Sequence, residues 1–225
     1  MKNKLLYIHT LGCQMNVHDS EQMAALLADC GYKTTDNVKL ADLVLLNTCA
    51  IREKAAQKAY SELGRFGLLK KQNPNLVIGV GGCLAQHLGS KFHKKIQHLD
   101  FVFGTHNIHS LPEMVATVEK NREKITKIDF HKSCMSIGIY APPANGARSA
   151  FVSIMQGCNN FCAYCVVPYL RGRETSRPPV GIIEEITKLA SAGIKEVTLL
   201  GQNVNSYGNT LEKQTTFAQL IKEIG

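Results

Sequence analysis

The sequence predicts an α/β chain, with a parallel sheet covered by helices in its amino-terminal part and the first part of a (β/α) barrel after it. Short apolar runs alternate with stretches of helical period, the pattern of strands joined by right-handed helical crossovers. A stretch containing Ala141-Pro142-Pro143-Ala144-Asn145-Gly146 interrupts the alternation. It divides the chain into an amino-terminal domain of residues 1–121, a linker of residues 122–148 and a second domain of residues 149–225. With 44% hydrophobic residues among 225, the chain has ample material for packed cores.

The elements follow in order. Lys4 to Thr10 reads as a short buried strand, and Asp19-Ser20-Glu21 as the cap of a helix carrying Met23, Leu26 and Leu27 and closed by Gly31. Asp42 to Asn47 is a second strand, followed by a helix from about Arg52 to Lys71 that ends before Pro74. Asn75 to Val80 is a third, with Leu84 to Leu99 helical behind it. Phe101-Val102-Phe103 is a fourth, and Ser110 to Glu113 has capping-box spacing ahead of Met114 to Glu119. Beyond the linker, Phe151 to Met155 is a strand, Gly181 to Ala192 a helix and Glu196 to Leu200 a strand, with Phe217 to Gly225 starting the next helix. In such barrels the chemistry sits in loops after the strands.

Cys13, Cys49 and Cys83 each lie two to three residues past a predicted strand, separated by 35 and then 33 residues. Parallel strands end on one edge of the sheet, where ligands of open α/β folds collect, so the three thiols are placed to converge. The alternative is that each is an ordinary buried thiol. Gly12, Gly81 and Gly82 beside them would let backbone approach a bulky ligand, whereas Gly79 to Leu84 lacks the last glycine of a dinucleotide fingerprint. Cys30 and Cys134 share no such position and read as structural. His106 and His109 read as a helix-preceding loop.

In Gly157-Cys158-Asn159-Asn160-Phe161-Cys162-Ala163-Tyr164-Cys165, three thiols are packed on one loop. Such a loop suits three corners of a cubane iron–sulfur cluster, leaving one iron open. Zinc normally takes a fourth protein ligand, and no second cysteine pair supplies one. Eight cysteines in 225 residues is also sparse for a disulfide scaffold.

The formal charge of +8, from 26 basic and 18 acidic residues, favours a polyanionic partner such as RNA. Arg171, Arg173 and Arg177 follow the cysteine loop, as a clamp for phosphate or cofactor carboxylate or as a solvated loop. Lys70, Lys71, Lys91, Lys94 and Lys95 read as solvated. The apolar run Leu5 to Ile8 is too short for a signal peptide or membrane span, which points to a reducing cytoplasm and no membrane partner.

The cysteine loop resembles the signature of radical S-adenosylmethionine enzymes, in which the cofactor's methionine end binds the open iron and reductive cleavage releases a 5′-deoxyadenosyl radical. Leu11 to Asn16 with Asp19-Ser20-Glu21, Asn47 to Arg52, Gly81 to Gln86 and Cys158 to Arg177 resemble, more narrowly, the methylthiotransferase family of those enzymes, along nearly the whole chain. Gln14 with Met15 points to its tRNA-modifying branch. The resemblance implies an auxiliary [4Fe–4S] cluster on Cys13, Cys49 and Cys83 that carries sulfur, and a cofactor-cleaving [4Fe–4S] cluster on Cys158, Cys162 and Cys165. It places Tyr164 against the adenine and Gln202 and Asn203 near the methionine end of S-adenosylmethionine, although the glycine–glycine–glutamate pattern of radical S-adenosylmethionine enzymes is missing there. The implied reaction adds a methylthio group to carbon 2 of N6-isopentenyladenosine at position 37 of tRNA, with electrons from a flavodoxin- or ferredoxin-like donor. Alternatives are methylthiotransfer to a ribosomal protein or another adenosine, or an inactive cluster-binding or RNA-binding fragment. Only two strand–helix units of the radical S-adenosylmethionine barrel are present, so the chain reads as truncated, with an open edge and apolar faces expected to be exposed.

Overall fold

A computed structural model describes residues 4–50, 53–131, 138–143 and 146–225. The chain forms two compact units, Met1–Asp129 and Phe130–Gly225. Cys134 lies outside the described residues.

The first unit runs β1 (Lys4–Thr10), α1 (Gln14–Ala28), β2 (Tyr32–Thr34), β3 (Leu43–Thr48), α2 (Glu53–Gln72), β4 (Val77–Gly82), α3 (Cys83–Leu88), α4 (Lys91–Lys95), β5 (Phe101–Phe103), α5 (Leu111–Asn121) and β6 (Ile125–Lys127). The six strands make one parallel sheet in the order β2-β1-β3-β4-β5-β6. Four strands were expected. The two additional ones are three-residue edge strands, and β6 comes from the stretch read as linker, which carries the first unit on to Asp129.

Central strand β3 is buried on both faces, with Leu43, Val44, Leu45 and Leu46 all fully covered, as a parallel sheet between helices demands. Val44 and Leu46 pack with Ala59, Leu63 and Phe66 of α2 and with Ile78 and Val80 of β4. On the opposite face, by the alternation of a strand, Gly79 and Gly81 make room for Phe101 and Phe103, whose rings lie 5.9 Å apart. A Cβ at Gly79 or Gly81 would stand 2.2 or 2.3 Å from those rings. Gly81 thus accommodates core packing, not the bulky ligand expected from its place beside Cys83. Lys70 is likewise not merely solvated: it pairs with Asp100, whose carboxylate also accepts the Ile78 N–H at 2.7 Å, tying the end of α2 to β4.

Three helix boundaries differ from the sequence reading. Helix α1 begins at Gln14, capped at Cys13, so Asp19 and Ser20 are buried in its interior and do not cap it. The stretch Leu84 to Leu99 breaks at Gly89, which has φ +49° and whose missing Cβ leaves room for Ile128. Ser110 makes no side-chain cap; a 3-10 turn over Ile108–Ser110 leads directly into α5.

The second unit runs β7 (Ser149–Ser153), β8 (Met155–Gln156), α6 (Val167–Leu170), β9 (Thr175–Ser176), α7 (Pro179–Ser191), β10 (Glu196–Leu200) and α8 (Phe217–Ile224). Strands β7 and β10 pair in parallel from Ser149↔Glu196 to Ser153↔Leu200, joined through α7, the repeat of a (β/α) barrel. Val152, Ile154, Met155, Ile182, Leu189, Ile194, Tyr207 and Leu220 form a buried core, so one apolar face of this two-stranded sheet is covered and not exposed as expected. The stretch read as one strand to Met155 stops at Ser153 and resumes as β8, antiparallel to β9.

Candidate metal centres

The first trio of cysteines sits at three adjoining strand ends. Cys13 is three residues past β1 and caps α1, Cys49 directly follows β3, and Cys83 directly follows β4 and opens α3. In the order β2-β1-β3-β4 the sheet reverses its direction of growth at β1–β3, the crevice where ligands of open α/β sheets bind. Cys49 and Cys83 are buried and Cys13 is exposed.

A network of buried polar groups holds the three loops together. Asn47 Nδ2 donates to the Asn16 carbonyl at 2.8 Å and to Ser20 Oγ at 2.9 Å, and Asn16 Nδ2 donates to Asn47 Oδ1 at 3.1 Å and to the Thr48 carbonyl at 3.2 Å. Asn16 Oδ1 accepts the Cys13 N–H at 3.4 Å. The Thr48 hydroxyl donates to the Gly81 carbonyl at 2.5 Å and accepts the Ala85 N–H at 3.3 Å, linking the Cys49 loop to the start of α3. Gly12 and Gly82, at φ +142° and +89°, permit the close approach: a Cβ at Gly12 would stand 3.1 Å from Cys49 Cβ, and one at Gly82 would stand 2.4 Å from the Thr48 carbonyl. Sequence reasoning missed these asparagines. The available signal was a polar residue ending the apolar run Leu43–Leu46 two positions before a cysteine.

The second trio lies on one loop between β8 and β9, whose antiparallel pairing closes the loop at its base. Cys158 is buried, Cys165 half-buried and Cys162 exposed. The Cys158 N–H donates to the Gly172 carbonyl at 3.2 Å, the Cys165 N–H to the Cys162 carbonyl at 2.9 Å, and the Glu174 N–H to Asn159 Oδ1 at 3.1 Å. Phe161 has φ +46°, unusual for a bulky residue; its ring lies 4.3 Å from the Arg173 guanidinium carbon and edge-on to Tyr169 at 5.9 Å.

No disulfide joins the described cysteines. Among the described residues no three Cys, His, Asp or Glu side chains are grouped as a mononuclear metal site requires. A cluster needs wider spacing, since each of its irons takes its own thiolate. Neighbouring strands lie about 4.8 Å apart, so thiols at three adjoining strand ends fall at separate points and not around one ion.

The other candidates fall in different places. Tyr164 is 92% exposed on the cysteine loop. Gln202 follows β10, and its Oε1 accepts the Gly157 N–H at 2.5 Å, with Asn203 beside it. Arg177 is neither a clamp nor solvated. It pairs with Glu185 of α7 and donates to the carbonyls of Gly181 at 2.7 Å and Ser153 at 3.3 Å, with side chains only 11% and 5% exposed for the pair. Arg171 is buried and Arg173 exposed. His106 and His109 lie in the turn between β5 and α5, and Cys30 is exposed at the end of α1.

Residues 5–104 match the family model "Uncharacterized protein family UPF0004", and residues 152–224 match that of the "Radical SAM superfamily". The chain is 59% identical over 224 residues to the tRNA-2-methylthio-N(6)-dimethylallyladenosine synthase of Syntrophus aciditrophicus, covering 100% of this chain and 49% of that protein. Its two parts are thus similar to those of the methylthiotransferases among radical S-adenosylmethionine proteins. The synthase of the same name from Geobacter sulfurreducens is 50% identical over 99% of this chain and 50% of its own length. The chain spans about half the length of the curated relatives it matches. Among solved structures, the radical S-adenosylmethionine methyltransferase TsrM from Kitasatospora setae, with tryptophan and a cofactor analogue bound, matches with a TM-score of 0.64 at 13% identity. It is covered over 98% of this chain and 50% of its own. A second structure of TsrM, with cobalamin and a [4Fe-4S] cluster bound, matches with a TM-score of 0.62 at 12% identity. At such identities the likeness concerns the fold. Among the described residues no helix is long and apolar enough to cross a membrane.

Proposed function

We propose that this chain carries the two cluster sites of a tRNA methylthiotransferase that adds a methylthio group to carbon 2 of N6-isopentenyladenosine at position 37. The observation that carries the reading is the placement of Cys13, Cys49 and Cys83 at three neighbouring strand ends of one sheet, in a chain that also has the Cys158–Cys162–Cys165 loop. Cys158, Cys162 and Cys165 would hold one [4Fe–4S] cluster and Cys13, Cys49 and Cys83 a second. When bound, the former supplies the electron that breaks a carbon–sulfur bond of S-adenosylmethionine, and the latter supplies sulfur.

The chain's own residues hold these sites in place. Asn16, Asn47 and Thr48 fix the three strand-end loops relative to one another, so that the thiols are positioned before any ligand arrives. The exposed Tyr164 ring offers a face for the adenine, and Gln202 and Asn203 stand next to the cysteine loop for the methionine end. The charge of +8 suits a tRNA partner, and a flavodoxin- or ferredoxin-like protein would supply electrons.

Nucleosides of tRNA from cells with and without the gene test the activity. The expected result is loss of the 2-methylthio group with isopentenyladenosine left in place; an unchanged nucleoside profile would refute it. Anaerobically reconstituted protein should bind about eight irons as two four-iron clusters, and alanine at Cys158, Cys162 and Cys165 together should halve that number. Tight stoichiometric zinc in the unmutated protein would count against both sites.

A further inference from the structure

The base of the cysteine loop is held from outside by the loop that follows β10. Gly157, immediately before Cys158, has φ +80°, and a Cβ there would stand 2.2 Å from the Arg173 carbonyl oxygen. The chain at that point is wedged against its own returning strand. Its N–H points to Gln202 Oε1 at 2.5 Å, across 45 residues of sequence. A second tie runs beside the first: Ser206 Oγ donates to the carboxylate of Glu174, a buried residue whose N–H is itself bonded to Asn159 within the cysteine loop. Gly201 is packed so closely on β8 that a Cβ would stand 2.6 Å from Met155 Cγ, which keeps Gln202 in register with Gly157.

We propose that Gln202 is a positioning residue for the cysteine loop, its side-chain oxygen fixing Gly157 and, through it, the backbone of Cys158. This rests on the cluster reading for its purpose but on the Gln202–Gly157 hydrogen bond for its geometry. A glutamine has two ends, and they separate the roles. The oxygen is engaged by Gly157, while the amide nitrogen is the end that could serve a cofactor carboxylate. Replacing Gln202 by glutamate keeps the acceptor oxygen and removes the donor; replacing it by alanine removes both.

The test uses the full 225-residue chain with alanine at Cys13, Cys49 and Cys83, so that iron reports only the loop. In the metal-free protein, hydrogen exchange of the Gly157 amide should quicken about tenfold in Gln202→Ala and stay near the parent in Gln202→Glu, as loss of one hydrogen bond to a buried amide implies. In reconstituted protein, iron loss to a chelator should quicken in Gln202→Ala by about the same factor, and Gln202→Glu should restore retention. Binding of S-adenosylmethionine should weaken in both variants, because neither keeps the donor. Equal exchange and equal iron loss in parent and Gln202→Ala would overturn the positioning role, as would a Gln202→Glu variant that behaves like alanine in both readouts. A parent that binds no iron, with the exchange difference intact, would overturn the cluster reading and with it the purpose assigned to Gln202, while leaving the hydrogen bond demonstrated.

Discussion

Replacing Asn47 by alanine should cost the first unit about 3 kcal/mol, from three hydrogen bonds at about 1 kcal/mol each. The side chain is fully buried, donates to the Asn16 carbonyl and Ser20 Oγ, and accepts from Asn16 Nδ2. Water cannot replace these partners without entering the space left under the end of β3. Against the roughly 5–15 kcal/mol that a folded domain holds in reserve, this is a large fraction. The assay is native-state hydrogen exchange followed by mass spectrometry on peptides covering Leu43 to Thr48, whose amides sit in the middle of the sheet and open with the unit as a whole. A 3 kcal/mol loss shortens their protection by about two decades. The first trio should lose iron alongside, since α1 and Cys13 are anchored through Asn16. A loss below about 1 kcal/mol, or undiminished iron on Cys13, Cys49 and Cys83, would refute the claim that this network positions the site.

Arg177→Met should destabilise the second unit by about 3–5 kcal/mol because it leaves Glu185 buried without its cation; the double variant with Glu185→Met should recover most of that in urea titrations. Gly79→Ala should cost about 1–3 kcal/mol by driving a methyl into the fully buried Phe101 ring, and Phe101→Leu should be less damaging in that background than in the parent. Burial pushes the Tyr207 phenol up to about 12, from an ordinary value of 10.0. The folded state thus favours the protonated phenol: its contribution is complete below pH 10 and is lost as pH rises toward about 12. Tyr207→Phe should flatten that part of the stability profile of the second unit, and a profile equally steep in the variant would refute the assignment.

The layout of the sheet was legible because burial on both faces gives long uninterrupted apolar runs, as in Leu43–Leu46, and crossover helices set a regular interval between strands. That interval also made Cys13, Cys49 and Cys83 legible as one group. Tyr32–Thr34 and Ile125–Lys127 were not legible, since a three-residue edge strand is held by its neighbour's backbone and needs no pattern of its own. Nor were the contacts that fix the sites. Asn47 meets Asn16 across 31 residues, Gln202 meets Gly157 across 45, and Ser206 meets Glu174 across 32. Arg177 looked like a surface cation because its partner Glu185 belongs to a helix whose orientation only the folded unit determines.

The two trios stand in opposite relations to the folding of the chain. Cys158, Cys162 and Cys165 fall within eight residues of one another, so their loop is closed chiefly by the nearby β8–β9 pairing, with Gln202 and Ser206 from the loop after β10 as its long-range ties. Cys13, Cys49 and Cys83 come together only after β1, β3 and β4 have aligned, which makes that site a late product of long-range contacts. A ligand bound there shuts the sheet like a clasp: it holds only the folded form and raises the free energy of unfolding of the whole first unit by mass action. Loss of that ligand should therefore loosen β1, β3 and β4 together, whereas loss of the ligand on the loop should be felt between β8 and β9 and in the Gln202–Ser206 segment tied to it.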